Sequence, residues 1–249
     1  MSYLMIVSPA KKMNVVEGPP YVADTPRFLP QTERLMHAVQ ALTYDEAKGL
    51  WKCSDKLATL NYERFRQMDL TRNTTAAILA YEGIQYQHLS PQVMSEQELA
   101  FLDSHLRILS GFYGVLRPCD GVVPYRLEMQ AKLVVDESRD LYEYWGTSLA
   151  EALADETDTL VNLASVEYAK AVIPHAHAAG LRVITCLFGQ MVGQRFVQRA
   201  TEAKAARGTF VRWCAERGVE NQDDFRAFSE RGYRLDENRS TPDNLVFIC

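Results

Sequence analysis

TLVNLASVEY, residues 159–168, reads as a buried strand that runs directly into a helix. Thr159 to Ala164 is an apolar run of strand length, and Ser165 is a residue type that opens helices. Ser165, Glu167 and Tyr168 then bring a hydroxyl, a carboxylate and a phenol together within one turn of the strand's end. Free backbone N–H groups at such a junction attract anions. The competing reading is an ordinary N-cap serine with an acidic first turn, which helix capping produces unaided.

Working outward, YLMIV at residues 3–7 is a second buried strand, closed by Ser8-Pro9. Val183–Phe188 and Arg195–Ala200 read as two strands around a Gly189–Gly193 turn, and Tyr233 with Leu245–Ile248 as a closing pair. Helical patterning runs from Gln31 to about Leu42. Thr43-Tyr-Asp-Glu46 is a capping box, and Ser54 caps a third helix. A second box, Ser95 to Glu98, opens a helix with Leu99, Leu102, Leu106 and Leu109 on one side, ended by Gly111. Ser138 opens another, with Leu141, Trp145, Leu149 and Leu153 on one face. A long helix spans Glu202 to Arg217, and a short one Asn221 to Phe228. Val15–Pro30, with four prolines, is a loop. Phe112–Leu133, with two Pro and two Gly, is an irregular stretch of the kind that carries function. Ala76–Tyr81 leaves its type open. This mixed order predicts a single α+β domain over residues 1–249 rather than a regular doubly wound sheet.

Composition narrows the classes. With 47% apolar and 24% charged residues in 249, the chain is no disordered tail and can bury a core without staples. A net charge of −5 excludes a globally basic nucleic-acid binder but leaves room for a local basic cleft. The five cysteines form no CxxC pair, which argues against a disulfide framework or a zinc site and for a reducing cytoplasm. Tyr3–Val7 is too short for a signal peptide or a membrane span.

Four groups of residues break local rules, which is where function tends to sit. Ser8, Lys11 and Lys12 follow the first strand in SPAKK, a hydroxyl and cations suited to an anion; the alternative is a turn with solvated lysines. Arg117, Arg126, Glu128 and Lys132 are interleaved with apolar residues in GVLRPCDGVVPYRLEMQAKL, residues 114–133. Arg binds phosphate or carboxylate bidentately, although Arg126 and Glu128 can also simply pair. Ser165 and Glu167 are the third group. Lys204 and Arg207, in TEAKAARG, share a helix face. Both fall early in that helix, where the dipole disfavours cations by about 0.3–1 kcal/mol each. Two cations make sense there beside an anion, or else as plain exposed charges. Tyr113, Tyr125 and Tyr168 suit base stacking or ordinary packing. His175 and His177 lack an evident third metal ligand, and no P-loop, GxGxxG, GxSxG or HExxH occurs.

These segments resemble the YaaA family of bacterial proteins linked to peroxide stress. The matching stretches are SPAK (8–11), SDKLATLNYERF (54–65), HLRILSGFYGVLRPCDGVVPYRLEM (105–129), NLASVEYAKAV (162–172), AKAARG (203–208) and FSERGY (228–233). Lys12, Val166 and Ala205 depart from the residues usual in the family. The resemblance implies a compact α+β domain of unusual topology, with a positively charged cleft and a helix-hairpin-helix element. It implies binding to duplex or branched DNA and protection from iron-dependent peroxide damage. LSGFYGVL, residues 109–116, looks like that hairpin, with Gly111 and Gly114 offering backbone N–H groups to a phosphate, although they are spaced wider than usual.

Two functions follow as expectations. The first is a cytoplasmic DNA-binding stress protein whose backbone contacts are Ser8, Lys11, Lys56, Gly111, Gly114, Arg117, Arg126, Lys132 and Arg207, joined by Lys204. The second is an enzyme acting on a nucleobase, nucleotide or damaged DNA. There Glu128 or Glu167 would be the general acid or base, Ser165 and Lys204 would be working groups, and Arg126 and Arg207 would hold a phosphate or oxyanion. The expected partner is DNA or a small phosphate-bearing ligand, with no membrane, metal or cofactor. An iron or redox handler would need clustered Cys and His, which the sequence does not offer.

Overall fold

Five apolar segments lie side by side in parallel at the centre of one eight-stranded sheet, in a computed structural model that describes residues 3–16, 24–72 and 74–249. In chain order its strands are β1 (Tyr3–Val7), β2 (Leu106–Ser110), β3 (Gly114–Leu116), β4 (Thr159–Leu163), β5 (Arg182–Val192), β6 (Arg195–Val197), β7 (Arg234–Leu235) and β8 (Asn244–Ile248). Their spatial order is β7-β8-β5-β4-β1-β2-β3, with β6 on β5. The run β8-β5-β4-β1-β2 is parallel, and β7, β6 and β3 are antiparallel additions. Every residue of β1, β2 and β4 is buried, which is why β1 and β4 read as apolar runs rather than alternations. With its helices, this mixed sheet is an α+β fold around one hydrophobic core running from Tyr3 to Phe247. No helix among the described residues is long and apolar enough to cross a membrane.

Local signals place many helix starts. Both capping boxes form, at Thr43/Glu46 and Ser95/Glu98. The long helix is Ala200–Arg217, ended by Gly218 in the left-handed region. Asp140, rather than Ser138, caps the next helix by accepting from the Tyr142 and Glu143 N–H groups. Gly146 then separates Leu141–Trp145 from Ser148–Ala154. The open stretch Ala76–Tyr81 resolves into strand, one helical turn and strand. Of the loop expected at Val15–Pro30, residues 17–23 lie outside the described residues, and a helix already starts at Leu29.

The hairpin reading of LSGFYGVL is corrected by its surroundings. The helix from Glu96 stops at His105, and Leu106–Ser110 pairs in parallel with β1 as β2. Residues 109–116 are therefore a β-hairpin between β2 and β3, not a junction of two helices. Ser110 Oγ makes the turn by accepting from the N–H groups of Phe112 and Tyr113. Leu106 and Leu109 fit a helical period but are spent on the sheet, because pairing with the central strand buries them completely. Likewise Gly189 is not in the β5–β6 turn; it sits within β5, where a Cβ would meet the Val197 carbonyl oxygen at 2.6 Å.

Candidate functional site

Two neighbouring central strands end side by side. Val7 of β1 is in register with Leu163 of β4, so Ser8 and Ser165 emerge next to each other. The chain leaving β1 reaches β2 on one side, and the chain leaving β4 reaches β5 on the other. Divergent connections open a crevice beyond the carboxyl ends of such strands, and this is where open sheets bind ligands. Ser165 stands at the N-cap of its short helix but its hydroxyl makes no capping bond; its N–H donates to Ser8 Oγ at 2.8 Å, and the two hydroxyls lie 3.2 Å apart. Tyr86 OH holds the Ser8 carbonyl at 3.0 Å.

A cavity of about 610 Å³ occupies that crevice. Four elements build it: the loop Ser8–Lys12, the turn and helix after Glu82, the segment Tyr125–Glu128, and the short helix after Ser165. Lys204 and Arg207 close it from the helix Ala200–Arg217. Its wall carries five cations (Lys11, Lys12, Arg126, Lys204, Arg207) against three carboxylates (Glu82, Glu128, Glu167), although the whole chain is acidic. Ile84, Tyr86, Tyr125, Leu127 and Tyr168 supply an apolar and aromatic side.

The charges are unevenly matched. Glu128 Oε1 lies 2.9 Å from Lys11 Nζ and 3.1 Å from Arg126 Nη2. Lys12 pairs with Glu82 at 2.7 Å. Lys204 and Arg207 have no carboxylate partner among the described residues. Arg207 is largely enclosed; burial weakens its hold on its proton, and its Nε has no hydrogen-bond partner. Burial pushes the Glu167 carboxyl above the usual carboxylate range, against a 3.3 Å bond from the Gln130 N–H, and nearby Glu128 adds to the rise. The phenol of Tyr125 is pushed up to about 12 by burial and is tied to Ser110 Oγ at 2.6 Å and Tyr81 OH at 2.8 Å.

The segment bearing Arg126 explains how the sequence presents these groups. From Tyr125 to Leu133 burial alternates, with Tyr125, Leu127, Met129, Ala131 and Leu133 facing the core. Arg126, Glu128, Gln130 and Lys132 face outward from a chain that lies on the core, extended up to Glu128 and then turning through Met129 and Gln130, where the Ala131 N–H donates to the Glu128 carbonyl at 3.0 Å. Gly111 lies beneath this strap; a Cβ there would meet the Leu127 carbonyl oxygen at 2.7 Å. Gly208 likewise lets the helix Ala200–Arg217 approach Ile84–Leu89, because its Cβ would overlap the Gln85 carbonyl.

Ser8, Lys11, Arg126, Glu128, Ser165, Glu167, Lys204 and Arg207 thus meet in one place. The other candidates do not. Lys56 is exposed on the helix Asp55–Arg66 and is absent from the cavity wall. Gly111 and Gly114 are buried, so their N–H groups cannot reach a phosphate in solvent; Gly114 packs against Phe28, Trp145 and Leu149 instead. Arg117 pairs with Asp103, and Lys132 pairs with Asp140 at 2.6 Å and borders a different cavity. Tyr113 is a packing residue whose OH accepts from the Val123 N–H. Gln85, Tyr86 and Glu82 line the site without having been singled out from sequence. The two-residue ladder between Lys12–Met13 and Tyr81–Glu82 that brings Glu82 there has no local signature. Gly208 did carry a signal, since a glycine inside a helix costs about 1 kcal/mol and needs a packing reason.

Arg117 helps to build a smaller cavity of about 340 Å³, which also contains Asp120. Burial pushes the Asp120 carboxyl up from 3.8 to about 7, opposed by the Arg117 N–H it accepts and by the Arg117 charge. The folded state therefore binds this proton more tightly than the unfolded chain, and stability falls as pH rises between those values. Asp120→Asn is expected to remove a difference on the order of 2 kcal/mol between pH 5 and pH 8. Parallel urea titrations of wild type and variant at both pH values will check this. Equal pH dependence in the two would contradict it.

Comparison with known proteins gives the chain's family. A family model described as peroxide stress protein YaaA matches residues 3–239. A UPF0246 protein of Pediococcus pentosaceus is 46% identical over 244 residues, covering 98% of this chain and 97% of its own length. One from Lachnoclostridium phytofermentans is 44% identical over 245 residues, covering 98% and 95%. Another, from Lactiplantibacillus plantarum, is 45% identical over 244 residues, covering 98% of each. Matched along nearly its whole length, the chain belongs to the peroxide stress protein YaaA family.

Proposed function

We propose that this member of a peroxide-stress family binds DNA and takes one nucleotide of a distorted or single-stranded segment into the cavity beyond β1 and β4. The observation that carries this reading is the pair Lys204 and Arg207, two cations without a carboxylate partner among the described residues, on the wall of an aromatic and aliphatic cavity. A partly buried guanidinium is costly until an anion completes it. A nucleotide supplies both halves of the match: a phosphate for the cations, and a planar base for the apolar wall. Binding of this kind is largely independent of sequence and weakens steeply with salt. Under peroxide, it would limit iron-dependent damage to the bound DNA.

Binding of labelled single-stranded, duplex and branched DNA across a salt series tests this. The triple variant Arg126→Ala, Lys204→Ala, Arg207→Ala is expected to bind single strands at least tenfold more weakly. Its log–log salt slope should be shallower by about 2, at roughly 0.7 per lost phosphate contact. Wild-type binding that ignores salt, or that the variant keeps, would overturn the reading.

A second reading rests on Glu128 and Glu167, which a pure binder does not need. Glu128 sits between two cations, while burial favours a protonated Glu167, so two carboxyls in one cavity have environments suited to different roles. An enzyme acting on a nucleobase or nucleotide would use Glu167 as acid and Glu128 as base or charge stabiliser. In that case Glu128→Gln and Glu167→Gln would abolish turnover and spare binding. If both variants restore peroxide resistance to a deletion strain as well as wild type does, this reading falls.

A further inference from the structure

The strap that carries Arg126 borders two spaces. Arg126, Leu127 and Glu128 line the cavity already described, and Glu128, Gln130 and Lys132 line a second cavity of about 780 Å³. Glu128 belongs to both, so the two spaces meet at one side chain. The partition between them is pinned from the second side. Gln130 donates its N–H to Glu167 Oε1 at 3.3 Å, and Tyr142 OH donates to the Glu167 carbonyl at 2.9 Å. Gln130 and Tyr142 line the second cavity, and Glu167 lines the first.

The second cavity has its own chemistry. Lys52, Lys132 and Lys170 stand around an apolar surface that includes Leu42, Tyr142 and Val134, and Val134 is 66% exposed. Lys170 Nζ rests 4.7 Å from the centre of the Tyr142 ring. Lys52 has no carboxylate partner among the described residues. Two carboxylates also line the space, but both are engaged elsewhere. Glu46 is held by the N–H and hydroxyl of Thr43, and Glu128 by Lys11 and Arg126. Asp140, the partner of Lys132, is also occupied by the N–H groups of the helix it caps.

Cations set among partly exposed apolar and aromatic side chains are the surface that single-stranded nucleic acid uses, with phosphates on the first and base faces on the second. Each cavity has the volume of a small-ligand site, about 300–1,000 Å³. That suits individual nucleotides and not a duplex. We propose that the second cavity is the subsite for the nucleotides next to the one held in the first. A single strand crosses the strap at Glu128, with its flanking phosphates on Lys52, Lys132 and Lys170. This inference rests on reading the first cavity as a nucleotide site.

The test compares two probes on wild type and on Lys52→Ala, Lys132→Ala, Lys170→Ala. One probe is thymidine 5′-monophosphate, followed by calorimetry. The other is a fluorescein-labelled thymidine dodecamer, followed by anisotropy across a salt series. The variant should bind the mononucleotide within twofold of wild type. It should bind the dodecamer at least tenfold more weakly, with a salt slope shallower by about 2. Unchanged dodecamer binding and slope would overturn the second subsite while leaving the first cavity's role intact. An equal loss for both probes would also overturn it, since the lysines would then act on the first cavity or on the fold. If wild type binds no dodecamer, both proposals fall together. Lys170→Arg, which keeps the charge, should retain dodecamer binding if charge is what matters.

Discussion

Gly208→Ala is expected to lower the melting temperature by roughly 5–10 °C, although alanine favours helices. At this chain length each kcal/mol moves the midpoint by roughly 2–4 °C. Helix propensity alone would make the change stabilising by about 1 kcal/mol. Packing opposes it, because the added Cβ falls on the Gln85 carbonyl oxygen and close to the His88 side chain at 3.1 Å. Backbone cannot swing aside as a side-chain tip can, so one helix must back away from the other. Overpacking of this kind costs about 1–3 kcal/mol and sometimes more; a cost of about 3.5 kcal/mol against the propensity gain leaves a net loss of roughly 2.5 kcal/mol. The retreat also moves Arg207 and Lys204 away from Gln85 and Tyr86 across the cavity. Gly49→Ala is the internal control. Gly49 is exposed within the helix Tyr44–Trp51 and a Cβ there meets nothing within 4 Å, so a gain of about 0.5–1 kcal/mol is expected. Thermal melts of the two variants beside wild type decide the matter. A neutral Gly208→Ala would mean that the helices do not approach so closely.

Gly111→Ala is expected to cost the site more than it costs the fold. Its Cβ would meet the Leu127 carbonyl oxygen at 2.7 Å and the backbone of Glu128 and Met129 at 2.9 Å. Gly111 cannot retreat, because Trp145 Nε1 donates to its carbonyl at 3.1 Å and the residue lies in the hairpin between β2 and β3. The strap must therefore lift, taking Arg126 and Glu128 with it. Oligonucleotide affinity should fall at least tenfold, equivalent to about 1.4 kcal/mol, in protein that near-ultraviolet dichroism shows to be folded. Binding at the wild-type level, with the variant folded, would show that the strap's position is not what the ligand reads.

Gly111 and its neighbour Gly114 illustrate how far the sequence was legible. Gly111 and Gly114 stand out in LSGFYGVL, and a glycine-rich turn after a helix suggests phosphate contact. What the sequence hides is that Leu106–Ser110 is claimed by β1 from about a hundred positions away. That pairing turns the helix end into a strand and the glycines into packing surfaces. Arg117 and Lys132 belong with Arg126 by composition, but Asp103 and Asp140 draw them elsewhere. By contrast, the strand-end residues Ser8 and Ser165, and the helix pair Lys204 and Arg207, reach the cavity as their local patterns suggest. Arg126 and Glu128 do so because an apolar–polar alternation must turn every second residue outward wherever its other face is buried.

By itself the sequence determined what neighbours in the chain can decide: the apolar runs that become strands, the two capping boxes, the outward face of the strap and the family. These depend on backbone geometry and burial over a few residues. Only the tertiary structure decided which strands lie together, that β1 and β4 diverge at their carboxyl ends, and which cations are left without partners. Those outcomes depend on contacts between residues more than a hundred positions apart, such as Ser8 with Ser165 and Lys11 with Glu128. No local pattern encodes such distances, because they are set when the whole core closes.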